Sequence, residues 1–170
     1  MSAGIILINP KFLHNIAGAI RSCSCFGVTQ LYWTGSRVDP SKFDRLPREE
    51  RMKGYAAVSW RNEQRPFDLI GDATPVCIEI HSGAISVAHF NHPENCFYVF
   101  GPEDGGVPQV IRKLCHLFVY IPSRHCLNLA AATNVILYDR SIKLHPQGPF
   151  VHPGIYEKRG LIEQPGWDGK

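Results

Sequence analysis

The chain contains no run of about 18 apolar residues, the length a membrane-spanning helix requires, and the apolar stretch in its opening MSAGIILINP is too short for a signal peptide. A soluble, cytoplasmic protein with no membrane partner is expected. Neither sign of charge dominates: 18 Lys and Arg against 15 Asp and Glu leave a formal net charge of +3, which permits a nucleic-acid partner without demanding one. None of the six cysteines is set in a CxxC pair, and Cys77, Cys96 and Cys115 sit in or beside apolar runs where free thiols pack as small hydrophobes. That pattern fits a reducing compartment. The eight histidines show no HExxH or comparable ligand spacing, so no metal is expected. The chain also lacks the GKS or GKT of a P-loop, the GxGxxG of a dinucleotide site, internal repeats and low-complexity tracts.

What is present is a series of short apolar runs separated by helical patterns. GIILI (4–8), QLYW (30–33), PVCIEI (75–80), CFYVF (96–100) and HLFVYI (116–121) do not alternate with polar residues, so they read as strands buried on both faces. Such strands belong to a mostly parallel sheet covered by helices on both faces, and the helices are expected at about 14–26, in the 41–53 region, near 65–71, at about 107–115 and at about 128–141. The result is an α/β fold in a single domain over residues 1–144. Residues 145–170, with four prolines and five glycines, read as a tail packed on the surface or on a partner.

Three stretches carry the chemistry. In FYVFGPEDGGV (97–107) a buried strand runs into a turn with three glycines and two carboxylates, at the strand end where ligands of open α/β sheets collect. Glu103 and Asp104 would repel a phosphate, so the turn suits an uncharged sugar edge or a cation; the alternative is a surface turn that starts a helix near Pro108. HNIAGAIRSCSCFGV (14–28) sets Asn15, Gly18 and Arg21 at successive i, i+3 positions, and a glycine within a helix implies a close approach there. IPSRHCLNLAAATNVILYD (121–139) leaves a strand through a polar loop and enters a helix at Asn128, a natural N-cap.

Together these stretches resemble the SpoU branch of the SPOUT class of RNA methyltransferases. Asn15, Gly18 and Arg21 look like its first motif. Gly101, Glu103, Gly105 and Gly106 are similar to its second, and Ile121, Pro122, Cys126, Leu127, Asn128 and Ala132 (or Ala131) to its third. The resemblance covers roughly residues 4–141 and implies an α/β sheet whose C-terminal part, about 75–140, threads into a trefoil knot, a rare exception to the absence of knots. It further implies a homodimer, with S-adenosylmethionine held by loops ending the strands near Ile80, Phe100 and Ile121. On this reading Ile80, His81, Phe100, Gly101, Pro102, Gly105, Ile121, Cys126, Leu127 and Ala131 bind the cofactor. Arg21, Asn15, Glu103 and Asn128 form the catalytic set, with Arg21 acting on a ribose 2′-hydroxyl or the neighbouring phosphate. A guanidinium is far too basic for an ordinary general base, whereas stabilising a developing alkoxide needs no unusual protonation state.

Arg21 and the basic stretch with Lys42, Arg45, Arg48, Arg51 and Lys53 are expected to meet RNA, and Tyr55 and Trp60 offer rings for stacking on bases, although Glu49 and Glu50 also fit an ordinary salt-bridged surface. One position departs from the family pattern: Cys126 stands where the family has serine, replacing a hydroxyl donor with a weak one. The resemblance points to a tRNA ribose 2′-O-methyltransferase. The alternatives are ribosomal RNA as substrate, methylation of a base, or a non-catalytic knotted RNA-binding protein.

Overall fold

The computed structural model describes residues 2–45 and 56–145. Among the described residues seven strands form one sheet: β1 Ser2–Leu7, β2 Gln30–Trp33, β3 Ser59–Asn62, β4 Thr74–Ile78, β5 Ile85–Ser86, β6 Asn95–Phe100 and β7 Leu117–Tyr120. The helices described alongside them are α1 Leu13–Cys25, α2 Gln109–Arg112 and α3 Leu129–Leu144, with short 3-10 turns at Pro40–Arg45, Pro66–Leu69 and Val87–His89. The order across the sheet is β3-β2-β1-β6-β4-β7-β5, and every neighbouring pair is parallel. All five apolar runs are strands of this sheet. The two strands that sequence patterning misses, β3 and β5, are its edges. An edge strand is half-exposed, so SWRN and the two-residue IS carry no continuous apolar signal. The helix expected in the 41–53 region is a 3-10 turn as far as Arg45; Arg48, Arg51, Lys53, Tyr55, the side chain of Arg45 and the tail beyond His145 lie outside the described residues.

Period-2 alternation divides the sheet into two cores. Ile5 and Leu7 of β1 face one side, together with Leu31, Trp33, Val76, Tyr98, Phe100 and Val119, and α1 and α3 cover them through Ile16, Ile20, Ile136 and Leu137. Ile6 and Ile8 face the other side with Tyr32, Cys77, Phe97 and Val99, beneath the shorter cover of Val107, Ile111, Cys115 and the 3-10 turn at Phe67. Helices on both faces are thus observed, the α1/α3 layer being the thicker.

Gly18 explains how that layer closes. A Cβ at this position would lie 2.7 Å from the Cβ of Ala130, so the glycine lets α3 approach α1. Ser22 Oγ crosses the same contact and donates to Asn134 Oδ1 at 2.8 Å. At its other end α3 grips the irregular segment between β5 and β6. Arg140 donates to the carbonyls of Pro93 and Glu94, and Lys143 to those of Val87, Ala88 and Phe90, so cationic side chains of α3 hold the backbone of this segment in place. His92, with its side chain fully buried, joins Asp139 through Nε2 at 2.7 Å and the Tyr98 hydroxyl through Nδ1 at 2.5 Å. A carboxylate only accepts, so Nε2 carries the proton and Nδ1 accepts from Tyr98.

Candidate active site

The chain leaves β1 towards β2 on one side and leaves β6 towards β7 on the other, and β1 and β6 are neighbours. Their carboxyl ends therefore form a topological switch point, the crevice where open α/β sheets bind ligands. Ile8 N–H extends the pairing to Phe100 O at 2.8 Å, and the turn that follows puts Asn9 at φ 44°, with its N–H donating to Thr34 Oγ1. The 101–107 loop folds back tightly against itself. A Cβ at Gly101 would lie 2.7 Å from the backbone nitrogen of Val107, so only glycine fits there.

Glu103 is the hub of the crevice. Its Oε2 accepts from the backbone N–H of Lys11 at 2.7 Å, and its Oε1 from Asn15 Nδ2 at 2.6 Å. Asn15, 1% exposed, uses its Oδ1 to accept from Asn128 Nδ2 at 2.8 Å. Asn128 Oδ1 in turn accepts from the N–H groups of Ala130 and Ala131, capping α3. Both amide orientations are fixed by partners that can only accept or only donate. Burial raises the carboxyl pKa of Glu103, but the Asn15 bond and the N–H groups of Lys11, Glu103 and Phe12 outweigh it, so Glu103 lies below its ordinary range and is ionised at neutral pH. Asp104, beside it, takes a two-pronged hydrogen bond from Arg37, at 2.9 and 2.6 Å, with Lys11 Nζ 3.7 Å away; the Arg37 bond pulls its pKa down to about 2.

A cleft of about 390 Å³ opens beside this hub, walled by Phe100, Gly101, Pro102, Glu103, Gly105, Cys126 and Leu127. Its volume lies within the range typical of small-molecule sites. An adjoining hollow of about 130 Å³ includes Ile80 and Ile121, and the two share Ile78, Glu79, Cys126, Leu127 and Ala132, making one continuous groove. Most of the cofactor set read from sequence therefore lines one groove at the ends of β4, β6 and β7. Two members lie elsewhere. Ala132, rather than Ala131, forms the wall, and Ala131 spends its N–H on Asn128. His81 stacks on Phe118 with ring centroids 4.9 Å apart.

Asn15, Gly18 and Arg21 do not share one environment: Asn15 is buried, Gly18 meets Ala130, and Arg21 is exposed, about 9 Å beyond Asn15 along the helix axis. Lys42 is exposed on its 3-10 turn. Trp60 is not a free ring for bases, because it packs on Phe43 and Trp33 with centroids 4.6 and 6.1 Å away and closes the core there. Sequence reasoning missed Glu79, a wall residue of both parts of the groove. Its one local signal is a carboxylate inside the apolar run CIEI. Among the described residues no cluster of His, Cys, Asp and Glu is able to hold a metal ion, and no helix is long and apolar enough to cross a membrane.

Comparison with known proteins agrees with this architecture. A curated relative from Synechocystis, named "Putative tRNA (cytidine(34)-2′-O)-methyltransferase", is 23% identical over 162 residues, spanning 85% of this chain and 98% of its own length. A solved structure concerned with the 2-OH methylation of C/U34 on tRNA superposes with a TM-score of 0.73 at 19% identity, covering 85% of this chain and 97% of the other. The SpoU methyltransferase AviRb from Streptomyces viridochromogenes, solved with AdoMet, superposes with a TM-score of 0.71 at 23% identity over 85% of this chain and 61% of its own. At these identities the structural matches establish the fold. The profile of the SpoU rRNA Methylase family matches residues 2–138, and the chain belongs to that family.

Proposed function

We propose that this protein transfers the methyl group of S-adenosylmethionine to a ribose 2′-hydroxyl of tRNA. The observation that carries the reading is the hydrogen-bonded chain Glu103–Asn15–Asn128, which joins three segments far apart in sequence behind the groove wall at Glu103. The groove suits the donor chemically. Ile78, Phe100, Leu127 and Ala132 offer apolar surface to an adenine, and among the described residues no Lys, Arg or His lines it to attract a phosphate, while carboxylates face a cation. Bound there, the donor supplies an electrophilic methyl carbon on sulfur.

The protein's own residues have the remaining tasks. A ribose hydroxyl is a weak nucleophile, so alignment with the methyl group is the principal requirement. Glu103, held ionised and oriented by Asn15, fixes the approach to the hydroxyl, and Asn128 holds Asn15 in place. Arg21, exposed on α1, binds the neighbouring phosphate and stabilises charge developing on the oxygen. Lys42 and the basic residues following it extend the RNA contact. Cys126 contributes wall and backbone to the groove, a role that does not need a hydroxyl. This reading includes a threaded C-terminal segment with α3 as its last element, and a homodimer covering the exposed Tyr138 and Ile142 of that helix.

Incubation with labelled S-adenosylmethionine and fractionated RNA, followed by nucleoside analysis, tests the proposal. A 2′-O-methylated nucleoside from tRNA is the expected product. The same product from ribosomal RNA alone moves the substrate, a methylated base overturns the ribose assignment, and no transfer with no donor binding at millimolar concentration overturns the enzyme reading.

A further inference from the structure

Glu79 joins the three strand ends that build the groove. Its backbone N–H donates to Val119 O at 2.9 Å, which holds the end of β4 to β7. Its side chain reaches the other way, where Oε2 accepts from Val107 N–H at 2.7 Å and Oε1 from Ile80 N–H at 2.9 Å. Gly106 makes this reach feasible, because a Cβ there would come 2.5 Å from Glu79 Oε2. The last glycine of the GPEDGG turn is thus explained by a residue outside the turn.

On the wall Asp104 has cationic partners, whereas Glu79, like Glu103, is met by neutral donors. Asp104 is paired with Arg37 and Lys11, and Glu103 is spent on Asn15 and Lys11 N–H. Glu79 is half-buried and bonded only to backbone N–H groups, and among the described residues it forms no ion pair. Amide dipoles satisfy its lone pairs without cancelling its charge, and a partly desolvated charge acts at longer range than one in water.

We propose that Glu79 is a specificity-determining residue of the groove: it fixes the 101–107 loop through Val107, and its uncompensated carboxylate favours a sulfonium ligand over the neutral thioether. The inference rests on the methyltransferase reading. Transfer breaks the sulfur–methyl bond, forms an oxygen–methyl bond and releases the hydroxyl proton, so the nucleoside leaves with one positive charge fewer than it brought. A carboxylate on the groove wall would attract the charged donor and not the neutral product.

Calorimetry with S-adenosylmethionine and S-adenosylhomocysteine on wild type, Glu79→Gln and Glu79→Ala separates the two roles. Glu79→Gln keeps an oxygen for Val107 N–H and removes the charge. It is expected to weaken donor binding about tenfold and product binding less than about threefold, with product binding reporting that the groove is intact. Glu79→Ala releases the loop and weakens both. In wild type, raising the salt concentration is expected to narrow the donor-to-product affinity ratio. Equal weakening of both ligands by Glu79→Gln, no effect on either, or a ratio indifferent to salt overturns the proposal. Wild type binding neither nucleoside is the separate result that removes the functional reading itself.

Discussion

Asn15 is 1% exposed and spends both ends of its amide on residues from other motifs, Glu103 at 2.6 Å and Asn128 at 2.8 Å. Asn15→Ala strands a carboxylate oxygen and an amide donor in a half-buried setting, so a loss of about 1–3 kcal/mol is expected in chemical denaturation. Arg21 predicts a different pattern, because it is exposed and assigned to the RNA rather than to the donor. Arg21→Ala is expected to lower kcat about a hundredfold while leaving donor affinity within about twofold, checked by single-turnover methyl transfer and calorimetry; equal losses in both would contradict its role. Gly18, Asn128 and Glu103 were legible in the sequence because each sits in a short pattern with a local reason, a helix glycine, an N-cap and a turn after a strand, whereas the roles of Asn15 and Arg21 came from the family resemblance. Glu79 was not, because its partner Val107 is 28 residues away and is set by the β4–β6 pairing. Trp60 was legible as an aromatic but not as core, since its neighbours Trp33 and Phe43 come from other elements.

The α1/α3 contact depends on Gly18, whose missing side chain leaves room for Ala130. Gly18→Val is expected to destabilise the protein by about 1–3 kcal/mol through overpacking. Ala130→Gly in the same chain is expected to recover part of that loss, a non-additivity that denaturation of the single and double variants measures. At the opposite end of α3, His92 couples the helix to the segment before β6. Burial outweighs the pull of Asp139 and sets the His92 pKa below its ordinary 6.5, with Arg140 and Lys143 opposing protonation and the Tyr98 hydroxyl donating to Nδ1. The unfolded chain therefore takes up the proton first, and stability is lost as pH falls through about 6.5 towards the folded value. His92→Gln, which retains hydrogen-bonding groups and does not titrate, is expected to flatten the fall in thermal midpoint between pH 7 and pH 5. An unchanged slope would assign the acid sensitivity elsewhere.

Across the whole molecule, Tyr138 and Ile142 leave apolar surface on α3, 55% and 41% exposed, with Tyr138 in edge contact with Phe26 of the α1 end. Light scattering is expected to report a mass near twice that of one chain, and Tyr138→Glu to shift it towards the monomer; a monomeric wild type would remove the homodimer from the proposed assembly. The pieces of the fold were readable locally: five buried strands follow from continuous apolar runs and α1 and α3 from their periodicity and cap, while the carboxylates of the 101–107 turn argued against a phosphate and left the ligand to the family resemblance. Which of these pieces meet depends on contacts far apart in the chain. Asn15 and Glu103 are 88 residues apart, and Asn128 and Asn15 are 113 apart. Their meeting follows from a strand order that places β6 beside β1 and β4 between β6 and β7. Local propensity acts over a few residues, whereas strand order is set by how all the apolar faces are buried at once, so it chose the edge strands, the switch point and the reach of Glu79.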